Sequence, residues 1–303
     1  MGSLEHTLKE NGMVQVTLPE MFLFFLAQPP RVNPHYEKVR QESEAWLLKH
    51  GDFDSRVSRI IHRTDFSYFC AVVMPDASAE TFPFDNGHLQ KNPEEARKLI
   101  DGLVSIMRNE NFEPEHPLLI AYKSIWLRLS QTSSKGVQNR FAASMTSYVE
   151  AVMQQVNLQS TAVLTSTIEG LVALRRDSIA TTPIYALIEY AYGLELPDEV
   201  IKHPSIQKIE TIATDMVLIQ NDIVSYAKEK ALGESHNIVS LYHLQGYSLQ
   251  SSFDCAGELL KGRYRDWYQT LTELPTWGEE IDSQVQTYIT SVQNVALANL
   301  NWR

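Results

Sequence analysis

An all-α fold is the architecture this sequence predicts, and three observations carry the prediction. Apolar residues recur at helical spacing along most of the chain, little of it alternates as a strand does, and the breaks between periodic stretches are short. With 303 residues, 44% of them hydrophobic and 21% charged, the chain has a globular composition and enough length for a large core. Wholesale disorder is excluded on the same numbers.

The first predicted helix runs from Pro34 to His50, with Asn33 as its cap and Pro34 at the first helical position. Val39, Ala45, Trp46 and Leu47 sit among charged residues there, as on an amphipathic helix. The next spans Pro93 to Asn109, where Glu94 and Glu95 in the first turn suit the helix dipole. Further helices are predicted over Leu118–Thr132, Gly136–Asn157, Thr165–Arg175, Ile184–Tyr192, Pro204–Leu232, Ile238–Gln245, Ser252–Leu274 and Trp277–Leu300. The breaks include Glu113–Pro117, Ser133–Gly136, Thr181–Pro183 and Leu196–Asp198. No Gly/Ser or Pro-rich linker divides the chain and no internal repeat is present, so about ten helices in one domain over residues 1–303 are expected.

Charge and composition exclude several functions. The formal net charge is -11, and no dense Lys/Arg cluster offsets it; Arg175-Arg176 is the one adjacent arginine pair. Such a surface repels nucleic-acid phosphates and anionic lipid, so neither is an expected partner. Cys70 and Cys255 read as reduced structural thiols rather than a disulfide or a zinc site. The apolar run Met21–Ala27 is only seven residues, flanked by Glu20 and Pro29-Pro30, too short to span a bilayer and without a basic region before it. A cytoplasmic protein without membrane insertion is expected; oligomeric state is not legible.

The most informative stretch lies on the long helix from Pro204 to Leu232. Asn221, Ser225 and Glu229 are four apart, which sets an amide carbonyl, a hydroxyl and a carboxylate on one helix face. That is a hard-cation donor set suited to Mg²⁺, and Lys228 beside it is a point charge for a phosphate oxygen. The bare spacing also describes an ordinary solvated face. Against that stands the apolar run Met216–Ile219, which leads straight into the polar set as on a helix entering a lined cavity.

Asn221-Asp-Ile-Val-Ser-Tyr-Ala-Lys-Glu229 resembles the N-D-x-x-S-x-x-x-E motif of the class I terpene synthases, and His236-Asn-Ile-Val239 resembles its continuation in fungal members. About 45 residues upstream, Leu174–Ile179 followed by Pro183 and Leu187–Glu189 is similar to the family's diphosphate-sensor segment. Arg31–Tyr36, Asp65–Phe69 and Asp85–Leu89 also resemble basidiomycete-type sesquiterpene synthases, so the likeness covers essentially the whole chain. It implies a single-domain bundle around an apolar cavity and Mg²⁺-dependent ionisation and cyclisation of farnesyl diphosphate. The roles implied are metal binding for Asn221, Ser225 and Glu229, and a diphosphate grip for Arg176 and Lys228, with Arg175 as the alternative at a one-residue offset. Phe66, Tyr68 and Phe69 read as core packing before they read as a face for a carbocation.

The sequence departs from the family pattern twice. Where the resemblance leads one to expect D-[DEN]-x-x-D, Met74–Leu89 is shortened by roughly 15–20 residues of helix, at ~1.5 Å rise each. Only Asp85 is left as a metal aspartate for the two further Mg²⁺ ions of the family. The chain also stops at Arg303 without the family's closing Arg-Tyr pair, and Arg263-Tyr264 reads as a coincidental surface pair. The alternative these gaps leave is a homologue that binds a prenyl diphosphate without turning it over.

Overall fold

The computed structural model describes residues 14–50, 53–78, 93–109, 111–161, 167–234 and 236–302. These form thirteen α-helices and two short 3₁₀ turns, and no strand occurs among the described residues. The amino-terminal helices are α1 (Tyr36–His50), α2 (Ser55–Thr64), α3 (Phe66–Val73), α4 (Pro93–Arg108), α5 (Pro117–Thr132) and α6 (Lys135–Thr161). The central ones are α7 (Ile168–Arg176), α8 (Thr181–Tyr192), α9 (Asp198–Ile201) and α10 (Pro204–Ala231). The chain closes with α11 (Ile238–Leu244), α12 (Leu249–Thr272) and α13 (Glu279–Asn301).

All ten predicted helices are present, with ends shifted by a few residues, and α2, α3 and α9 are additional. Helix α1 starts at Tyr36 rather than Pro34, so Asn33 heads the turn before it and is not its cap: its Oδ1 accepts from the His35 N–H at 2.9 Å, while its amide donates to the Met74 and Ala77 carbonyls at 2.9 and 2.8 Å. One buried side chain thereby ties the start of α1 to the end of α3. Asp65, at φ 45°, separates α2 from α3 and accepts from the Tyr68 N–H at its carboxylate. Phe66 and Phe69 stack at 4.9 Å and both meet the Trp302 ring edge-on, the core-packing arrangement expected of them.

Helix α10 is the axis of the fold, packed against α7, α8, α11, α12 and α13. Its 28 residues span about 42 Å, and Ile209, Met216, Leu218 and Ile219 are wholly buried along it. Each such side chain contributes roughly 1.5–3 kcal/mol on burial. This main apolar cluster also takes in Val72 of α3, Val172 of α7, Trp267 of α12 and Val292 of α13. A smaller cluster joins Leu99 and Ile106 of α4, Trp126 of α5 and Phe141 of α6 with Ala186 of α8. Since Tyr185 and Ile188 of α8 belong to the main cluster, that helix faces both. No helix among the described residues is long and apolar enough to cross a membrane.

Candidate metal centre and diphosphate grip

Asn221, Ser225 and Glu229 lie on successive turns near the carboxyl end of α10, along the boundary between its buried and exposed sides. Asp222, Ile223, Ser225 and Tyr226 are buried; Val224, Ala227, Lys228 and Lys230 are exposed. Ser225 is only 9% exposed, so the stripe is a rim and not a solvated face.

The Ser225 hydroxyl donates to the Asn221 carbonyl at 2.7 Å, a back-bond across one turn, and lies 3.5 Å from the Asn221 amide oxygen. Its oxygen lone pairs stay available. Glu229 accepts at Oε2 from the Asn237 amide at 2.9 Å, which leaves Oε1 of the same carboxylate for a cation. An amide oxygen, a hydroxyl and a carboxylate on one rim fit a hard divalent ion such as Mg²⁺. Among the described residues no group of three or more His, Cys, Asp or Glu side chains converges as a metal site. Asp85 lies outside the described residues.

Two arginine–aspartate rungs fasten the end of α7 to this part of α10. Arg175 donates to Oδ1 of the fully buried Asp222, whose Oδ2 accepts from the Ile238 N–H at 2.6 Å. Burial pushes the Asp222 carboxyl up, and the charge of Arg175 followed by the Ile238 N–H pulls it down. Arg176 forms the other rung, its Nε and Nη2 donating to Asp215 at 2.7 and 2.9 Å. That hydrogen bond raises the Arg176 guanidinium above its ordinary value against the opposing effect of burial. Asp215 and Asp222 are seven residues apart, hence on one face of α10.

The offset between the two arginines thus has a structural expression: neighbours on α7 meet different aspartates. Arg175 sits beside Asn221 through Asp222 and is 8% exposed, whereas Arg176 is 38% exposed and holds an aspartate six residues before Asn221. Lys228 is exposed in the last turn of α10. Immediately after Arg176 the chain makes a 3₁₀ turn over Asp177–Ile179, and Ala180 starts α8 in the left-handed region at φ 64°, ψ 17°.

One expectation is overturned. Arg263-Tyr264 is not a surface pair: Tyr264 is wholly buried and donates to the Met21 carbonyl at 3.1 Å. Arg263 donates to Oδ2 of Asp215 at 2.7 Å, so Asp215 is clasped by arginines from α7 and α12. The buried face of α12, not an accidental adjacency, accounts for both residues. Sequence reasoning also missed Asp215 and the role of Asn237. The heptad from Asp215 to Asp222 was the signal for the former; the latter depends on how the connection from α10 to α11 folds back.

A separate cleft of about 270 Å³ opens toward the other end of α10, lined by Arg140, Ser144, Tyr185, Glu189, Glu210 and Tyr288 among others. Glu210 lies eleven residues before Asn221, about 16 Å along the axis, so this cleft is not the metal rim. Arg140 donates twice to the buried Glu189, at 2.8 and 2.5 Å, and Tyr288 donates to Glu210 at 2.7 Å. Burial raises the Glu210 carboxyl to about 7.

An all-α protein with a rim of oxygen donors at one end of its central helix is the class that fold and site define. The chain belongs to the terpene synthase family: residues 83–266 match the family model described as terpene synthase family 2, C-terminal metal binding. It is 33% identical to silphinene synthase peniA of Penicillium patulum over 95% of this chain and 83% of that protein. It is likewise 33% identical to terpene cyclase 4 of Gibberella fujikuroi, over 95% of this chain and 84% of the relative. Among solved structures, an α-eudesmol synthase superposes with a TM-score of 0.80 at 21% identity, covering 92% of this chain and 98% of that one, a likeness of fold.

Proposed function

We propose that this chain is a sesquiterpene synthase that ionises and cyclises farnesyl diphosphate with Mg²⁺ and releases diphosphate. The observation that carries the reading is the half-buried rim of Asn221, Ser225 and Glu229 beside the Arg175–Asp222 rung. The three oxygen donors would hold one Mg²⁺, and Asp85 would contribute to the two further ions of the family. Bound Mg²⁺ supplies Lewis-acid neutralisation of the departing diphosphate. Lys228 and an arginine at the end of α7 grip the diphosphate oxygens. Arg176 and Arg175 are both candidates, and the partner of Arg175 adjoining Asn221 favours Arg175. The C–O bond breaks with its electrons leaving on diphosphate, and the apolar interior keeps water from the allylic cation while it closes on its own double bonds. Residues 1–303 act as a single α-helical catalytic domain in this reading, which α8 supports by facing both apolar clusters.

The test is incubation of the purified protein with farnesyl diphosphate and Mg²⁺, with gas chromatography of the volatile products. Cyclic hydrocarbons or alcohols that vanish without Mg²⁺ and in Glu229→Gln are expected. Absence of product with Mg²⁺-dependent diphosphate binding retained would overturn turnover in favour of a binding-only homologue.

A further inference from the structure

Asn237 is wholly buried, and its side chain uses every hydrogen-bonding position it has. As the cap of α11, its Oδ1 accepts from the N–H groups of Val239 at 2.8 Å and Ser240 at 3.2 Å. Its Nδ2 donates to the Asp222 carbonyl at 2.8 Å and to Oε2 of Glu229 at 2.9 Å. The cap fixes which way the amide faces, so its donors have no alternative orientation. Next along the chain, the Ile238 N–H closes on Asp222. The turn after α10 therefore folds back onto the rim it has just left.

We infer that Asn237 is the positioning residue of the metal rim: by tethering Oε2 it holds the Glu229 carboxylate in one orientation and leaves Oε1 for the cation. The inference rests on the reading of Glu229 as a metal ligand. A glutamate has three side-chain torsions to fix when it captures a cation, and one tethered at Oε2 is ordered beforehand. Asn237 touches neither metal nor substrate in this assignment; it acts through Glu229. The competing role is purely structural, capping α11.

Asn237→Ser separates the two roles, since serine is an equally good cap but cannot reach Glu229 with a donor. Binding of inorganic diphosphate is measured by calorimetry across a Mg²⁺ series for wild type, Asn237→Ser and Glu229→Gln, with the thermal midpoint recorded for each. Positioning predicts that Asn237→Ser raises the Mg²⁺ concentration for half-maximal binding ~10–100-fold, as for groups behind a metal ligand. Diphosphate affinity at saturating Mg²⁺ stays near the wild-type value. An unchanged Mg²⁺ requirement, or weakening that saturating Mg²⁺ does not restore, overturns the inference while leaving Glu229 as a ligand. If Glu229→Gln itself leaves the Mg²⁺ requirement unchanged, the metal reading falls and this inference falls with it. Should Asn237→Ser not fold, Asn237→Thr carries the same test, for its hydroxyl caps α11 while its shorter side chain cannot reach Glu229 with a donor.

Discussion

Glu210 is the residue whose environment yields the sharpest measurable consequence. It faces Tyr288 of α13, whose hydroxyl donates to Oε1 at 2.7 Å, Gln207 of its own helix at 3.3 Å, Glu189 of α8 and Arg140 of α6. Burial and Glu189 raise its carboxyl from 4.5 to about 7, while the Tyr288 hydrogen bond and Arg140 oppose the rise. The folded state therefore keeps this proton to higher pH than the unfolded chain does. The stabilisation from proton binding is complete below about pH 4.5 and is lost as pH climbs through 7.

A displacement of that size has a ceiling of about 3 kcal/mol, at 1.36 kcal/mol per pH unit. Glu210 lines the open cleft and is only half-buried, so about 1–2 kcal/mol is the realistic share. For a chain of this size that corresponds to a midpoint change of about 1.5–3 °C. Glu210→Gln has the same shape, retains an oxygen for Tyr288, and cannot titrate. Thermal midpoints of wild type and Glu210→Gln are followed from pH 5 to 8.5, and their difference cancels every other titrating group. The variant gains on wild type as pH rises, most of the gain falling between about pH 5 and 7, between the unfolded and folded values of the carboxyl. Tyr288→Phe removes the hydrogen bond that lowers the carboxyl and shifts the window upward. Parallel curves for wild type and Glu210→Gln would refute the assignment of a raised carboxyl at this site.

Two further outcomes follow from single contacts. Arg140→Ala strands the Glu189 carboxylate, itself 1% exposed, and lowers stability by about 3 kcal/mol, measured as a fall in urea midpoint at unchanged slope. At Ala180, whose φ is 64°, Ala180→Val costs about 1–2 kcal/mol because a β-branched side chain tolerates the left-handed region poorly. Ala180→Gly stays near wild type, since relief of about 1 kcal/mol in the fold offsets the added freedom of the unfolded chain. Thermal midpoints of the two variants give the comparison directly.

How much of this was legible beforehand differs by kind of information. The ten helices with clear periodicity or caps could be read from local chemistry alone. Helix α3 could not, because Phe66–Val73 is a nearly continuous apolar run that has no period to distinguish helix from strand. The donor stripe from Asn221 to Glu229 was visible as spacing, and Met216–Ile219 rightly set it apart from an open surface. The choice between Arg175 and Arg176 was not visible. Adjacent helical residues diverge by about 100°, and only the face of α10 opposite them decides which aspartate each one meets. Tyr288 and Glu210 are 78 residues apart, and no local pattern announces such a contact.

The acids of α10 make the same point about what the fold is built to do. Glu210, Asp215 and Asp222 interrupt the helix's inward side, each answered from another helix: Tyr288 of α13, Arg176 and Arg263 of α7 and α12, and Arg175 of α7. Apolar residues of similar volume serve stability as well as buried ion pairs do, so stability alone does not account for them. Register does. A one-residue slide of α7 along α10 would carry Arg175 away from Asp222 and Arg176 away from Asp215 together, leaving two buried carboxylates uncompensated. A leucine contact would re-form after the same slide with little loss, because dispersion has no direction. The paired rungs thus hold the end of α7 against the end of α10 that carries Asn221, Ser225 and Glu229, where the proposed chemistry requires a fixed distance between metal donors and diphosphate grip.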